Sequence, residues 1–152
     1  MSINVRLRTN SGGFRLGGSV TNGSTGPVKV LVIDDSNTIR RSAELFLRQA
    51  GYEVILAEDG FDALSKITDH EPQVIFVDIM MPRLDGYQTC ALIKQNPRLK
   101  STPVIMLSSK DGVFDRARGR LAGSDRYLTK PFTKEGLIEA VNDYVKRAPA
   151  AP

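Results

Sequence analysis

The sequence predicts an α/β fold, a doubly wound, five-stranded parallel sheet with five helices on its two faces. Three observations predict it. Five short apolar runs rich in Val and Ile are spread from Val30 to Leu128. The segments between them repeat apolar residues at helical spacing. The runs show almost no polar alternation, which marks strands covered on both faces, and a parallel sheet wrapped by crossover helices covers its strands in that way.

The first strand is expected over residues 30–33. Ile39, Ala43, Phe46, Leu47 and Ala50 then fall on one helical face, and Gly51 is a natural stop. A second strand over 54–57 is followed by a helix over 60–69, carried by Phe61, Leu64 and Ile67 and ended before Pro72. The third strand covers 74–77 and the third helix 87–95. The fourth strand, 104–107, precedes a less regular helix over 111–121. Tyr127 and Leu128 form a short fifth strand, and Thr133 caps a last helix that buries Leu137, Ile138, Val141, Tyr144 and Val145. Right-handed crossovers put helices on both sides of such a sheet.

The folded region is expected over residues 27–147, with tails at 1–26 and 148–152. The first tail holds six glycines among Ser, Thr and Asn, too little apolar surface to offset the entropy of ordering. It also carries Arg6, Arg8 and Arg15 and no acid, so most of the formal charge of +4 lies there. The remainder, 18 basic against 17 acidic side chains, gives no reason to expect a nucleic-acid partner. One cysteine, Cys90, forms no internal disulfide, and no apolar run reaches membrane-spanning length, so a cytoplasmic protein without membrane insertion is expected. No effector domain is expected after the fifth helix, and output is expected through a separate protein.

In a doubly wound sheet, ligands bind beyond the carboxyl ends of the strands. Asp34 and Asp35 end the first strand, Asp78 the third and Ser108 the fourth, and Lys130 follows the fifth. Clustered carboxylates repel one another in a poorly solvated site and need positive compensation. Lys130 supplies part of it. Mg²⁺ is the metal these hard oxygen donors favour, since no His or Cys lies near the strand ends and Mg²⁺ tolerates an incomplete protein cage. Carboxylate nucleophile, metal and ammonium together read as phosphoryl-transfer equipment. Taken singly the parts are bland: an Asp pair after a strand often only caps a helix, Ser108 is a turn hydroxyl and Lys130 a solvated surface charge. Their joint arrival in order carries the functional reading.

The segments VLVIDDSNTIRR, VIFVDIMMPRLDG, VIMLSS and YLTKPF resemble the receiver domains of two-component response regulators. The resemblance, not the periodicity, implies the flavodoxin-like strand order 2-1-3-4-5. It implies that Asp78 accepts the phosphoryl group and that Asp34, Asp35, Asp78 and the backbone carbonyl of Met80 hold Mg²⁺. It further implies that Lys130 pairs with the phosphate, that Ser108 is the switch hydroxyl and Tyr127 the switch aromatic, and that the bond before Pro131 is cis. Activation would bias a surface of the fourth helix, fifth strand and fifth helix, where Lys110, Arg116, Arg118, Arg120 and Arg126 suggest an acidic partner. The stretches MMPRLDGYQTCALIK and SSKDGVFDRARGRLAGSDRYLTKPF are most similar to small receivers of type IV pilus chemosensory systems. That similarity implies a CheA-type histidine kinase as donor and twitching motility as output. Ser109, where many receivers have alanine, and the apolar Met80 depart from the commonest pattern and leave the lifetime of the acyl phosphate open.

Two other readings compete. A pseudo-receiver would keep the fold as a constitutive interaction module, against which the intact Asp34, Asp35, Asp78, Ser108 and Lys130 argue. A hydrolase of related fold wants a general acid two residues after Asp78, where Met80 stands. GGFRLGGS at 12–19 lacks the lysine of a phosphate-binding loop; His70 reads as a helix-end cation and Cys90 as a packed side chain.

Overall fold

The computed structural model describes residues 26–109 and 115–145. All ten elements lie in one compact unit, Val28–Lys146. They alternate without exception: β1 (Lys29–Ile33), α1 (Asn37–Gln49), β2 (Glu53–Ala57), α2 (Gly60–His70), β3 (Val74–Asp78), α3 (Gly86–Gln95), β4 (Val104–Ser109), α4 (Arg116–Ala122), β5 (Arg126–Lys130) and α5 (Lys134–Val145). The strands pair in parallel in the order β2-β1-β3-β4-β5, so the expected sheet and its helices are present.

The near-absence of polar alternation has the expected cause. Along the inner strands, as β1 and β3 illustrate, successive side chains enter opposite cores. Leu31, Ile33, Ile75 and Val77 join the core built with α2, α3 and Ala122 of α4. Val30, Val32, Val74 and Phe76 join the other, with Ala43 and Leu47 of α1 and Leu137, Ala140 and Val141 of α5. Either side of the sheet is therefore apolar, and β3 is buried along its whole length.

Helix ends follow local chemistry. The Ser36 hydroxyl caps α1 by accepting from the Ile39 N–H, and Gly51 at φ +94° follows the helix in a backbone conformation costly for other residues. Asp59 caps α2, which ends at Glu71 in the left-handed region just before Pro72. Asp85 and Gln88 form a reciprocal capping box on α3, and the Thr133 hydroxyl accepts from the Gly136 N–H at the start of α5.

Several expectations are corrected. Phe61 does not enter the core: it is 54% exposed, and α2 turns Gly60, Ala63 and Ile67 inward instead. The reason is helical phase: Phe61 is rotated by about 100° from Gly60, which faces inward so closely that a Cβ there would lie 2.5 Å from Thr89 Oγ1 and 2.6 Å from Leu84 Cδ2. Ala50 is exposed as the cap residue of α1. Asp115 is extended and caps α4, so that helix starts at Arg116; residues 111–114 of the expected helix and Lys110 lie outside the described residues, as does nearly all of both expected tails. β5 is longer than a two-residue strand because its register with β4 runs from Ile105–Arg126 to Ser109–Lys130. Among the described residues no helix is long and apolar enough to cross a membrane.

Candidate functional site

The register of the sheet brings the ends of β1, β3, β4 and β5 to one edge. Ile33 lies beside Val77, so the next residues, Asp34 and Asp78, emerge side by side. Asp78 lies beside Leu107, and Ser108 and Ser109 beside Thr129 and Lys130. Asp34, Asp35 and Asp78 each present a carboxylate oxygen within 4.8 Å of the others. Asp34 and Asp78 are buried, whereas Asp35 is exposed and closes the cluster from the solvent side.

Lys130 Nζ donates to Asp34 Oδ2 at 3.3 Å and to Asp78 Oδ1 at 3.1 Å. The Ser36 N–H donates to Asp34 Oδ1 at 2.9 Å, and the Met80 N–H reaches Asp78 Oδ1 at 3.4 Å. Arg40 Nη1 donates to the Asp34 carbonyl at 2.7 Å and so braces the backbone on which the acidic pair sits. The Asp pair does not cap α1, because Ser36 does. Lys130 is joined to Pro131 by a cis peptide bond.

The electrostatics are those of an under-compensated cluster. Burial, reinforced by the Asp34 charge, pushes the Asp78 carboxyl up to about 6, against the opposing pull of Lys130 and the Met80 N–H. Burial likewise raises Asp34 above the ordinary carboxylate range, although the Ser36 N–H and Lys130 oppose it. For Lys130, burial alone would lower the ammonium, but the two carboxylates outweigh it and hold the group above the usual lysine range. One ammonium does not neutralise three carboxylates. A hard divalent cation fits both the oxygen-only donor set and the residual negative charge.

A model of the response regulator receiver domain matches residues 30–142. The chain belongs to the response regulator receiver domain family. Among relatives of this receiver, protein PilG of Pseudomonas aeruginosa is 69% identical over 118 residues, 78% of this chain and 87% of PilG. The response regulator MprA of a Mycobacterium species is 38% identical over 121 residues, 80% of this chain but only 52% of MprA, so the receiver spans about half of that longer relative. The chemotaxis protein CheY4 of Vibrio cholerae superposes with a TM-score of 0.74 at 33% identity, over 78% of this chain and 99% of CheY4. The receiver domain of the Francisella response regulator 1452 gives 0.71 at 38% identity, over 79% and 98%. Receiver domains hold Mg²⁺ at an acidic pocket, and the Asp34, Asp35 and Asp78 oxygens fit that description. Membership also implies a histidine kinase as partner and a downstream effector.

The remaining candidate residues lie around this centre. Ser108 is buried at the end of β4, its hydroxyl donating to the Ser109 carbonyl at 3.4 Å. Tyr127 is half-buried beside Met106, and its hydroxyl accepts from Arg116 Nη2 at 2.5 Å. The Met80 side chain is 70% exposed, so only its backbone approaches Asp78. Cys90 is packed in the core, where burial pushes its thiol up to about 11. The basic cluster assigned to the partner face is largely engaged within the receiver: Arg118 stacks 4.2 Å from the Tyr87 ring and pairs with Asp85, and Arg126 pairs with Asp143 at 2.6 Å. Arg40, Asp59 and Arg83 were not singled out from the sequence. The sequence signal that could have found Arg40 is an arginine one turn into the helix after an Asp pair.

Proposed function

We propose that this receiver accepts a phosphoryl group on Asp78 and uses it to switch binding of a partner protein. The observation that carries the reading is the buried Asp34–Asp78 pair bridged by Lys130, with Asp35 at its open side. Asp78 attacks phosphorus through a carboxylate oxygen. The nitrogen–phosphorus bond of a kinase phosphohistidine breaks as the new oxygen–phosphorus bond forms, and the imidazole keeps the electron pair. Asp34, Asp35, Asp78 and the Met80 carbonyl would hold Mg²⁺, which when bound supplies positive charge for the transferring oxygens. Lys130 keeps its proton throughout and neutralises phosphate charge from the opposite side. Ser108 then turns toward the phosphoryl oxygens and Tyr127 moves inward, reshaping the α4–β5–α5 face that the partner reads.

The similarity to PilG supports a place in control of type IV pilus twitching motility, with a CheA-type kinase as donor. The protein passes a signal and assists its own phosphorylation and dephosphorylation; it is no metabolic enzyme. Intact-mass measurement after incubation with Mg²⁺ and acetyl phosphate tests the reading. A phosphoryl adduct on the wild type and none on Asp78→Asn is expected. No adduct on either, the behaviour of a pseudo-receiver, would overturn it.

A further inference from the structure

Asp78 and α3 are joined by a loop, residues 79–85, whose base is pinched shut. The Gly86 N–H donates to the Ile79 carbonyl at 2.9 Å. A Cβ on Gly86 would lie 2.5 Å from the Asp78 carbonyl oxygen and 2.6 Å from Ile79 Cα, so α3 starts directly against the backbone of Asp78. The tip of the loop is different. Arg83 has φ +68°, and the Leu84 N–H donates across it to the Pro82 carbonyl at 2.7 Å. That is a γ-turn with a left-handed central residue, a rare and strained form for a side chain as large as arginine. A strained residue persists when its surroundings over-determine it.

Arg83 is held by two groups of the β2–α2 corner. Its Nη2 donates to Asp59 Oδ2 at 2.9 Å, and its guanidinium lies 5.3 Å from the centre of the Phe61 ring. Asp59 is itself fixed, because its other oxygen caps α2 by accepting from the Asp62 N–H at 2.7 Å. Phe61, displaced from the core, acts as the platform under the guanidinium. Between the pinched base and the anchored tip lies Met80, whose N–H points at Asp78 Oδ1.

We propose that Arg83 is a positioning residue for the chemistry at Asp78: its grip on Asp59 and Phe61 holds the loop so that the Met80 backbone stands ready beside the carboxylates. The role rests on the function proposed above. A loop already ordered costs nothing further to order when a cation arrives; a released loop must be fixed at that moment, and the affinity falls by that amount.

The test uses the full chain with Arg83→Gly, Asp59→Asn and the double variant. Glycine relieves the left-handed backbone while removing the guanidinium, and asparagine keeps the α2 cap while removing the charge. Mg²⁺ affinity is read by titration calorimetry and amide shifts, the initial rate with acetyl phosphate at limiting and saturating Mg²⁺, and the melting temperature in parallel. Each single variant is expected to bind Mg²⁺ about three- to tenfold more weakly, the range that one partly exposed ion pair with a cation–π contact supports. The rate should fall at limiting Mg²⁺ and recover at saturation, and the double variant should be no worse than the poorer single one. Arg83→Gly should melt close to the wild type, which separates positioning from stability. Wild-type Mg²⁺ affinity in both single variants would overturn the positioning role alone. A wild type that binds Mg²⁺ but takes no phosphoryl group would overturn the proposed function instead, and one that binds no Mg²⁺ would overturn both.

Discussion

Asp78 shows how burial makes a carboxylate both costly and useful. The unfolded carboxyl loses its proton near 3.8 and the folded one near 6, so between those values the folded state keeps a proton that the unfolded state has shed. Asp78 therefore lowers stability progressively as pH rises through that window, and the loss stays in full above it. In Mg²⁺-free urea unfolding, Asp78→Asn should be more stable than wild type by ~1–3 kcal/mol at pH 7.5, with the gain shrinking toward zero near pH 4. The same repulsion makes a cation stabilising. Adding Mg²⁺ should raise the melting temperature of the wild type, chelation should reverse the gain, and Asp78→Asn should respond far less, as calorimetric scans would show. Asp34, Asp35, Asp78 and Lys130 were legible in the sequence because short polar residues interrupt apolar strands at their ends, where the fold class itself puts the cleft. Arg83 was not legible: an arginine in a polar loop looks solvated, and its left-handed backbone depends on Asp59 and Phe61, more than twenty residues upstream.

Among the elements, α4 is the one whose attachment bears on the proposed switch, because it is tied to both of its neighbours. Its first turn is clasped on both sides, Arg116 lying 5.2 Å from the Tyr127 ring of β5 and Arg118 stacking on Tyr87 of α3. The Tyr87 hydroxyl also accepts from the Asp115 N–H at 2.9 Å. Arg116 thus holds the half-buried Tyr127 by its ring and, through a hydrogen bond to the hydroxyl, by its tip. Arg116→Ala should shift the Tyr127 signal of fluorotyrosine-labelled protein toward that of the phosphorylated state without any donor, as ¹⁹F NMR would detect; an unmoved resonance would argue against this coupling. The elements themselves were readable from Val and Ile runs and from helical spacing. Their faces were less so. Periodicity placed Phe61 inward because it counts hydrophobicity, whereas α2 turns its small residues Gly60 and Ala63 to the core, Gly60 lying directly against Thr89 and Leu84.

At the largest scale, the described residues form two apolar layers separated by a sheet, and β3 feeds both. Phe76, fully buried, packs in the layer shared with α1 and α5. Phe76→Ala should cost ~3–5 kcal/mol in denaturant unfolding, with the far-ultraviolet signal and the tyrosine fluorescence changing together, because the opposite layer rests on the same strand. The strand order came from resemblance to receivers, since periodicity carries no information about which strands neighbour which; the register that decides it lies in backbone pairing.

Lys130 stands on β5, at the rim of the sheet, yet its ammonium reaches over β4 to carboxylates at the ends of β3 and β1. It is a tether between the centre of the molecule and its edge. On the proposed function, a phosphoryl group on Asp78 would compete with Asp34 for the Lys130 ammonium, and whatever slack it took up would be drawn from the strand on which Tyr127 sits. News of chemistry in the middle can thus arrive at the border through a single side chain, with no helix having to travel.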